Sequence, residues 1–311
     1  MKKLLLSVLI LGALTSFASS QDTSNSTTPA PAAPAQYSGP QDGQKVAFLG
    51  DSITAQGAES TGYLRLTALA LEQNGKKIEV IPAGVGGNTS RDMLARLDKD
   101  VLSKKPDWMT LSCGVNDVWH GANGGVPLDQ YQQNITSIVD QATAAGIKVV
   151  ILTSTMITED EATANNQQLV AYNNFLHSLA ARDHLLIADL NAEMQATLAQ
   201  QKAGTPNLKG NVLTVDGVHM NGMGSEMMAT GLLKAFGFTD AQLARAKESW
   251  LDVPDAMPLH VKVAATVRQY QQLRAAAASQ GHSVEEMLNE DLNKDVQNIL
   301  GAPAPGAPAK P

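Results

Sequence analysis

Short runs of Val, Ile and Leu recur along the middle of the chain, separated by longer stretches in which apolar and polar residues mix. Residues 46–49, 78–81, 108–112, 149–153 and 185–189 are nearly continuous in apolar character, as expected of strands buried on both faces. Between them, residues 63–74, 90–104, 128–145 and about 165–182 repeat their apolar positions at helical spacing. Gly75 and Gly146 stand where helix C-terminal glycines belong. The alternation predicts an α/β fold, a parallel sheet covered by helices on both faces, with ligands bound beyond the carboxyl ends of the strands.

After residue 238 the pattern becomes purely helical, over 241–250, 261–280 and 284–299, with Pro254 and Pro258 marking a break between the first two. Val261, Val263, Ala264, Val267, Tyr270 and Leu273 form an apolar stripe expected to dock on the preceding domain or on another subunit. Both ends of the chain read differently. Lys2 and Lys3 precede an apolar run over 4–14 and a small-residue stretch over 16–20, the pattern of a secretory signal peptide. The run is too short for a membrane span of about 20 residues, and no cysteine lies beside it to carry a lipid. Residues 21–43, rich in Ser, Thr, Pro and Ala, read as a disordered linker, and 301–311 as a similar tail. Folding is therefore expected over 44–237, with a helical extension at 238–300, in a secreted or periplasmic protein without stable membrane insertion.

Charge narrows the partners. Of 311 residues, 43% are hydrophobic and 17% charged, and the formal charge is -7; loss of the signal would remove two lysines and no acids. An acidic chain of this kind excludes a basic nucleic-acid binder, and its apolar content argues against general disorder. The one cysteine, Cys113, cannot close an intramolecular disulfide or build a thiolate metal site. The chemistry must rest on oxygen and nitrogen.

Four segments carry that chemistry, each close behind a strand or in a late loop. Gly50-Asp51-Ser52 follows the first strand; a serine lifted out of the sheet there can act as a nucleophile, although Asp and Ser are also ordinary helix caps. Gly84-Val85-Gly86-Gly87-Asn88-Thr89 follows the second. Its glycines let backbone N–H groups approach an anion, but it lacks the final glycine of a dinucleotide loop. Gly114-Val115-Asn116-Asp117 follows the third, and an asparagine can donate to an oxyanion without adding charge; an Asn/Asp turn bonding its own backbone reads equally well. Asp216-Gly217-Val218-His219 spaces a carboxylate and an imidazole for mutual contact. Five other histidines, at 120, 177, 184, 260 and 282, compete for that role.

Taken in order, these four segments closely resemble the blocks of the SGNH or GDSL family of serine esterases, over about residues 44–237. The resemblance implies a flavodoxin-like three-layer α/β/α sandwich with a five-stranded parallel sheet. It also implies Ser52 as nucleophile, His219 as base and Asp216 as its orienter, with the Ser52 N–H, Gly87 and Asn116 as oxyanion donors. Gly86 is the alternative to Gly87. G-x-S-x-G occurs nowhere in the chain, which disfavours the larger α/β-hydrolase fold. No metal or organic cofactor is implied.

The expected reaction is ester hydrolysis through an acyl-serine, slowing as acid protonates the imidazole. Members of the family cleave lipid esters, thioesters, simple acetates and acetylated sugars. An exported acidic protein without a broad apolar lid suits a soluble extracellular ester better than a membrane interface; among the family's activities a carbohydrate O-acetylesterase or related short-chain esterase is the expectation. Trp119 and His120 are candidates for lining the mouth, with Trp119 stacking on a sugar or simply packing. A lysophospholipase or acyl-thioesterase is the alternative enzyme; an exported binding protein that has lost its chemistry is the alternative of another class.

Overall fold

A computed structural model of the protein describes residues 37–205, 209–251, 253 and 263–301. The signal peptide, most of the linker, both prolines of the expected break and nearly all of the tail lie outside the described residues. Five strands, β1 (Lys45–Gly50), β2 (Glu79–Gly84), β3 (Trp108–Ser112), β4 (Lys148–Leu152) and β5 (Leu186–Ala188), form one sheet in the order β2-β1-β3-β4-β5. All pairings are parallel. Chain order reverses between β1 and β3, the switch point at which an open α/β sheet leaves a crevice. Gly50 pairs with Gly84, and Leu49 with Leu111, so the segments leaving β1, β2 and β3 emerge at one level. β2 runs three residues beyond its expected end and takes in Pro82, which an edge strand tolerates because one side of its backbone has no ladder partner.

The helices in chain order are α1 (Ser52–Gly57), α2 (Tyr63–Gln73), α3 (Ser90–Asp100), α4 (Val115–Trp119), α5 (Leu128–Ala144), α6 (Ala164–Arg182), α7 (Leu190–Gly204), α8 (Gly222–Ala235), α9 (Asp240–Trp250), α10 (Val267–Ser279) and α11 (Val284–Gly301). One layer packs α3 on α5 and α5 on α6; the other joins α2, α8, α7 and α9. None of the helices among the described residues is long and apolar enough to cross a membrane. The helix expected over 90–104 stops at Asp100: Val101 leaves helical geometry at φ -129° and a 3-10 turn covers Leu102–Lys104.

The packed core runs past residue 237. Phe238, Leu243, Ala246 and Trp250 belong to the same buried cluster as the sheet, and the Trp250 indole N–H donates to the Leu66 carbonyl at 3.0 Å. At the other end, residues 37–40, read from composition as linker, lie on the domain. Ser38 N–H donates to the Phe236 carbonyl at 2.9 Å, the Tyr37 ring lies 5.9 Å from that of Phe238, and Gly39 is buried against the Phe236 ring.

α10 and α11 close a small cluster of their own around Ala277, Val284 and Met287. α10 starts at Val267, six residues later than its apolar pattern suggests, because Thr266 and Gln269 form a capping box there. The expected docking stripe is largely open: Val263, Val267 and Tyr270 are exposed, and Leu273 alone of its described members packs into the α10–α11 cluster.

Candidate active site

The first turn is built around Asp51. Its carboxylate is buried and accepts the Ile53 N–H at 2.9 Å, capping α1 and making Ser52 the first helical residue. Burial pushes the Asp51 carboxyl up to about 6, against the pull of the Ile53 N–H and of His219. α1 sits directly on the strand ends. A Cβ at Gly84 would fall 2.2 Å from the Ala55 nitrogen, so only glycine lets β2 finish there.

Residues 213–221 form a hairpin whose arms are tied by Val215 N–H to the His219 carbonyl and Asn221 N–H to the Leu213 carbonyl, both at 2.9 Å. At its tip, Asp216 Oδ1 accepts the Val218 and His219 N–H groups at 3.0 and 2.9 Å. Asp216 Oδ2 lies 2.7 Å from His219 Nδ1, and His219 Nε2 lies 2.9 Å from Ser52 Oγ. Partial burial by itself would raise the Asp216 carboxyl. The bonds from the His219 ring and from the two backbone N–H groups outweigh it and hold the group at about 2. An ionised carboxylate thus keeps the Nδ1 proton in place and leaves Nε2 free to accept from the serine hydroxyl.

Asn116 stands in the first turn of α4 and is buried. One of its amide protons goes to the Asn88 carbonyl at 3.0 Å, leaving the second available. Gly114, just before α4, has φ +136°, and a Cβ there would meet Ser154 Oγ at 2.2 Å; no other residue fits. In the glycine loop both Gly86 and Gly87 are exposed. Gly87 takes φ +75°, while a Cβ built on Gly86 would lie 4.0 Å from that of Ser52. Neither N–H, nor that of Ser52, has a protein acceptor among the described residues. Trp119 and His120 lie at the end of α4 with ring centroids 6.4 Å apart. Trp119 is 46% exposed, and among the described residues no hydrogen bond joins the pair to Ser52 or His219.

The sequence assigns no role to two supporting groups, Arg96 lying outside the motifs and Asp117 closing the third of them. Arg96, on α3, donates to the Gly50 carbonyl at 2.8 Å, the Ala83 carbonyl at 2.9 Å and Asn88 Oδ1 at 2.6 Å, and pairs with Asp100. It therefore ties the exits of β1 and β2 to the residue that follows Gly87. Asp117 is buried and accepts Ser90 N–H at 2.9 Å, with Cys113 Sγ at 3.5 Å, fastening the start of α3 to α4. Burial pushes the Cys113 thiol far up, so Cys113 is a small packed residue and no nucleophile. Outside this cluster, His177 meets Asp189 at 3.1 Å, but that carboxylate is occupied in capping α7 and binding Thr153. Among the described residues no three His, Cys, Asp or Glu side chains converge as a metal site.

Residues 48–227 match the GDSL-like lipase/acylhydrolase family. The chain belongs to that family. As a GDSL-family protein it is a carboxylic ester hydrolase, with the five-stranded parallel sheet and flanking helices of its solved neighbours. An acetylxylan esterase of Geobacillus stearothermophilus is 28% identical over 215 residues, 63% of this chain and 95% of that one. A solved acetyl xylan esterase, AlAXEase, is 34% identical with a TM-score of 0.57, covering 61% of this chain and 98% of its own. Esterase TesA of Pseudomonas aeruginosa is 36% identical over 111 residues, 35% of this chain and 53% of the relative. Catalytic mutants of the Geobacillus enzyme replace a serine, an aspartate and the histidine three positions beyond that aspartate.

Proposed function

We propose that the protein is an exported serine esterase that removes acetyl and other short acyl groups from carbohydrate esters. The observation that carries the mechanism is the Ser52–His219–Asp216 relay, with contacts of 2.9 and 2.7 Å. His219 Nε2 takes the hydroxyl proton as Ser52 Oγ attacks the ester carbonyl, and Asp216 stabilises the imidazolium that results. Negative charge on the carbonyl oxygen is met by the N–H of Ser52, the N–H of Gly87 and the free amide proton of Asn116. His219 then returns the proton to the departing sugar hydroxyl. Water, activated by the same nitrogen, attacks the acyl-serine and releases the acid. The Asp-x-x-His spacing shared with the mutated positions of the Geobacillus enzyme supports these assignments.

The substrate reading rests on the acetylxylan esterases among the relatives and on exposed side chains in the segments that carry Gly87 and Asn116. Val85 in the glycine loop and Trp119 at the end of α4 are 41% and 46% exposed, and an accessible indole offers a flat face for a sugar ring. Export rests on the signal-like residues 1–20. The test is release of acetate from acetylated xylo-oligosaccharides beside a series of p-nitrophenyl esters of increasing chain length. Acetyl is expected to be preferred, and Ser52→Ala to lose both hydrolysis and fluorophosphonate labelling while keeping its melting curve. Preference for long acyl chains would move the assignment to a lysophospholipase or thioesterase. Activity retained by the alanine variant would remove Ser52 from the mechanism.

A further inference from the structure

The hairpin that carries Asp216 and His219 is held by a residue outside every motif. Glu159 lies in the segment after β4, and its carboxylate receives four donors from residues 212–214, the hairpin's first arm and the residue that leads into it. Val212 N–H reaches Oε2 at 2.6 Å, and Leu213 N–H, Thr214 N–H and Thr214 Oγ1 each reach Oε1 at 2.8 Å. Successive N–H groups curled about one anion form a nest, here filled by a side chain of the same protein. Thr214 Oγ1 in turn accepts the Gly217 N–H at 3.1 Å, and Thr158 N–H donates to the Gly217 carbonyl at 2.7 Å. The grip thus extends to the turn between Asp216 and His219.

The holder is itself anchored. Asn166 of α6 accepts the Ile157 N–H at 2.8 Å and donates to the Ile157, Thr158 and Asp160 carbonyls. Thr158 adopts φ +67°, a region a β-branched residue enters only when its surroundings impose it. Among the described residues Glu159 makes no ion pair; its partners are three backbone N–H groups and one hydroxyl, all within residues 212–214. A surface solubilising charge has no use for that geometry.

We infer that Glu159 is a positioning residue for the base: its carboxylate fixes the hairpin so that His219 Nε2 meets Ser52 Oγ. The inference rests on the acyl-serine reading above. Glu159→Gln keeps size but places an NH2 group against at least one of the four donors, so the hairpin must shift. A tilt of the imidazole by a fraction of an ångström weakens proton transfer without touching the acyl-binding surface. With p-nitrophenyl acetate, kcat is expected to fall 10- to 100-fold, about the range such displacements produce, with KM within about twofold. Fluorophosphonate labelling of Ser52 should slow by a similar factor, and the downfield proton resonance of the His219–Asp216 bond should shift or broaden. Glu159→Asp, which keeps the charge on a shorter stem, should recover part of kcat, and it carries the test if the glutamine variant does not fold. A folded glutamine variant with unchanged kcat, labelling rate and proton resonance would overturn the inference and leave the acyl-serine reading standing. Failure of the wild-type protein itself to label at Ser52 would overturn both.

Discussion

Replacing Asn116 tests the oxyanion site directly. The side chain is buried and held by a 3.0 Å bond to the Asn88 carbonyl, so its second amide proton is aimed before substrate arrives. Removing one such preorganised donor costs about 10²- to 10³-fold in kcat, or roughly 3 to 4 kcal/mol of transition-state stabilisation. Asn116→Ala also strips the Asn88 carbonyl of its donor, but Asn88 is only partly buried and water can replace that bond, at a stability cost of about 1 kcal/mol. The loss should therefore fall on kcat, with KM nearly unchanged. Asn116→Asp should be worse than alanine, because it sets a carboxylate oxygen against the Asn88 carbonyl and adds negative charge where more is developing. Steady-state kinetics on p-nitrophenyl acetate, with thermal melts of each variant, give the ranking. A folded alanine variant within fivefold of the wild-type kcat, or an aspartate variant more active than alanine, would refute the role of Asn116.

Three further outcomes follow from the same geometry. Asp216→Asn should cost about 10³- to 10⁴-fold in kcat by loosening control of the imidazole tautomer. Because the folded-state Asp216 carboxyl sits near 2, below an unfolded value of about 3.9, the stability its ionisation confers is full above pH ~4 and is lost as pH falls toward 2; melts of both proteins over that range should converge. Asp51 has the opposite sign: its folded value near 6 means that ionisation penalises the native state as pH rises from about 4 to above 6. Asparagine can still cap α1, so Asp51→Asn should gain stability relative to wild type across that interval in denaturant titrations, and a constant difference would contradict the burial argument. Trp250→Ala removes a buried indole and its bond to Leu66, with an expected loss of about 3 to 5 kcal/mol; an unchanged melting temperature would mean that α9 is dispensable.

The parts of the fold legible in the sequence were those whose signal is periodic. All five strands read as apolar runs, but only the inner strands β1, β3 and β4 are buried along nearly their whole length; β2 and β5, at the sheet edges, are only partly buried, and α5 and α6 read as helices because their stripes are long. α8 did not, since Gly222, Gly224 and Gly231 interrupt its pattern; the glycines serve packing, a Cβ at Gly224 falling 2.1 Å from the Leu213 carbonyl. α1 and α4 are single turns whose residues read first as chemistry. Ser52, Asp216 and His219 were found through their motif and meet at hydrogen-bonding distance. Arg96 and Glu159 were not, because a residue that acts by gripping backbone carbonyls or N–H groups leaves no spacing rule in the chain. Asn166, which with Asn173 is one of two buried polar residues on the largely apolar inner face of α6, offered the nearest clue.

The docking of residues 37–40 against Phe236 and Phe238 fixes where the polypeptide enters the domain. It enters at the amino end of β1, while Ser52 lies at the carboxyl end, about 20 Å away along six residues of strand. An N-terminal attachment, whether a fused carbohydrate-binding module or a solid support, would therefore pull on the pole opposite the serine. The reacting face would point away from the attachment and stay open to solvent.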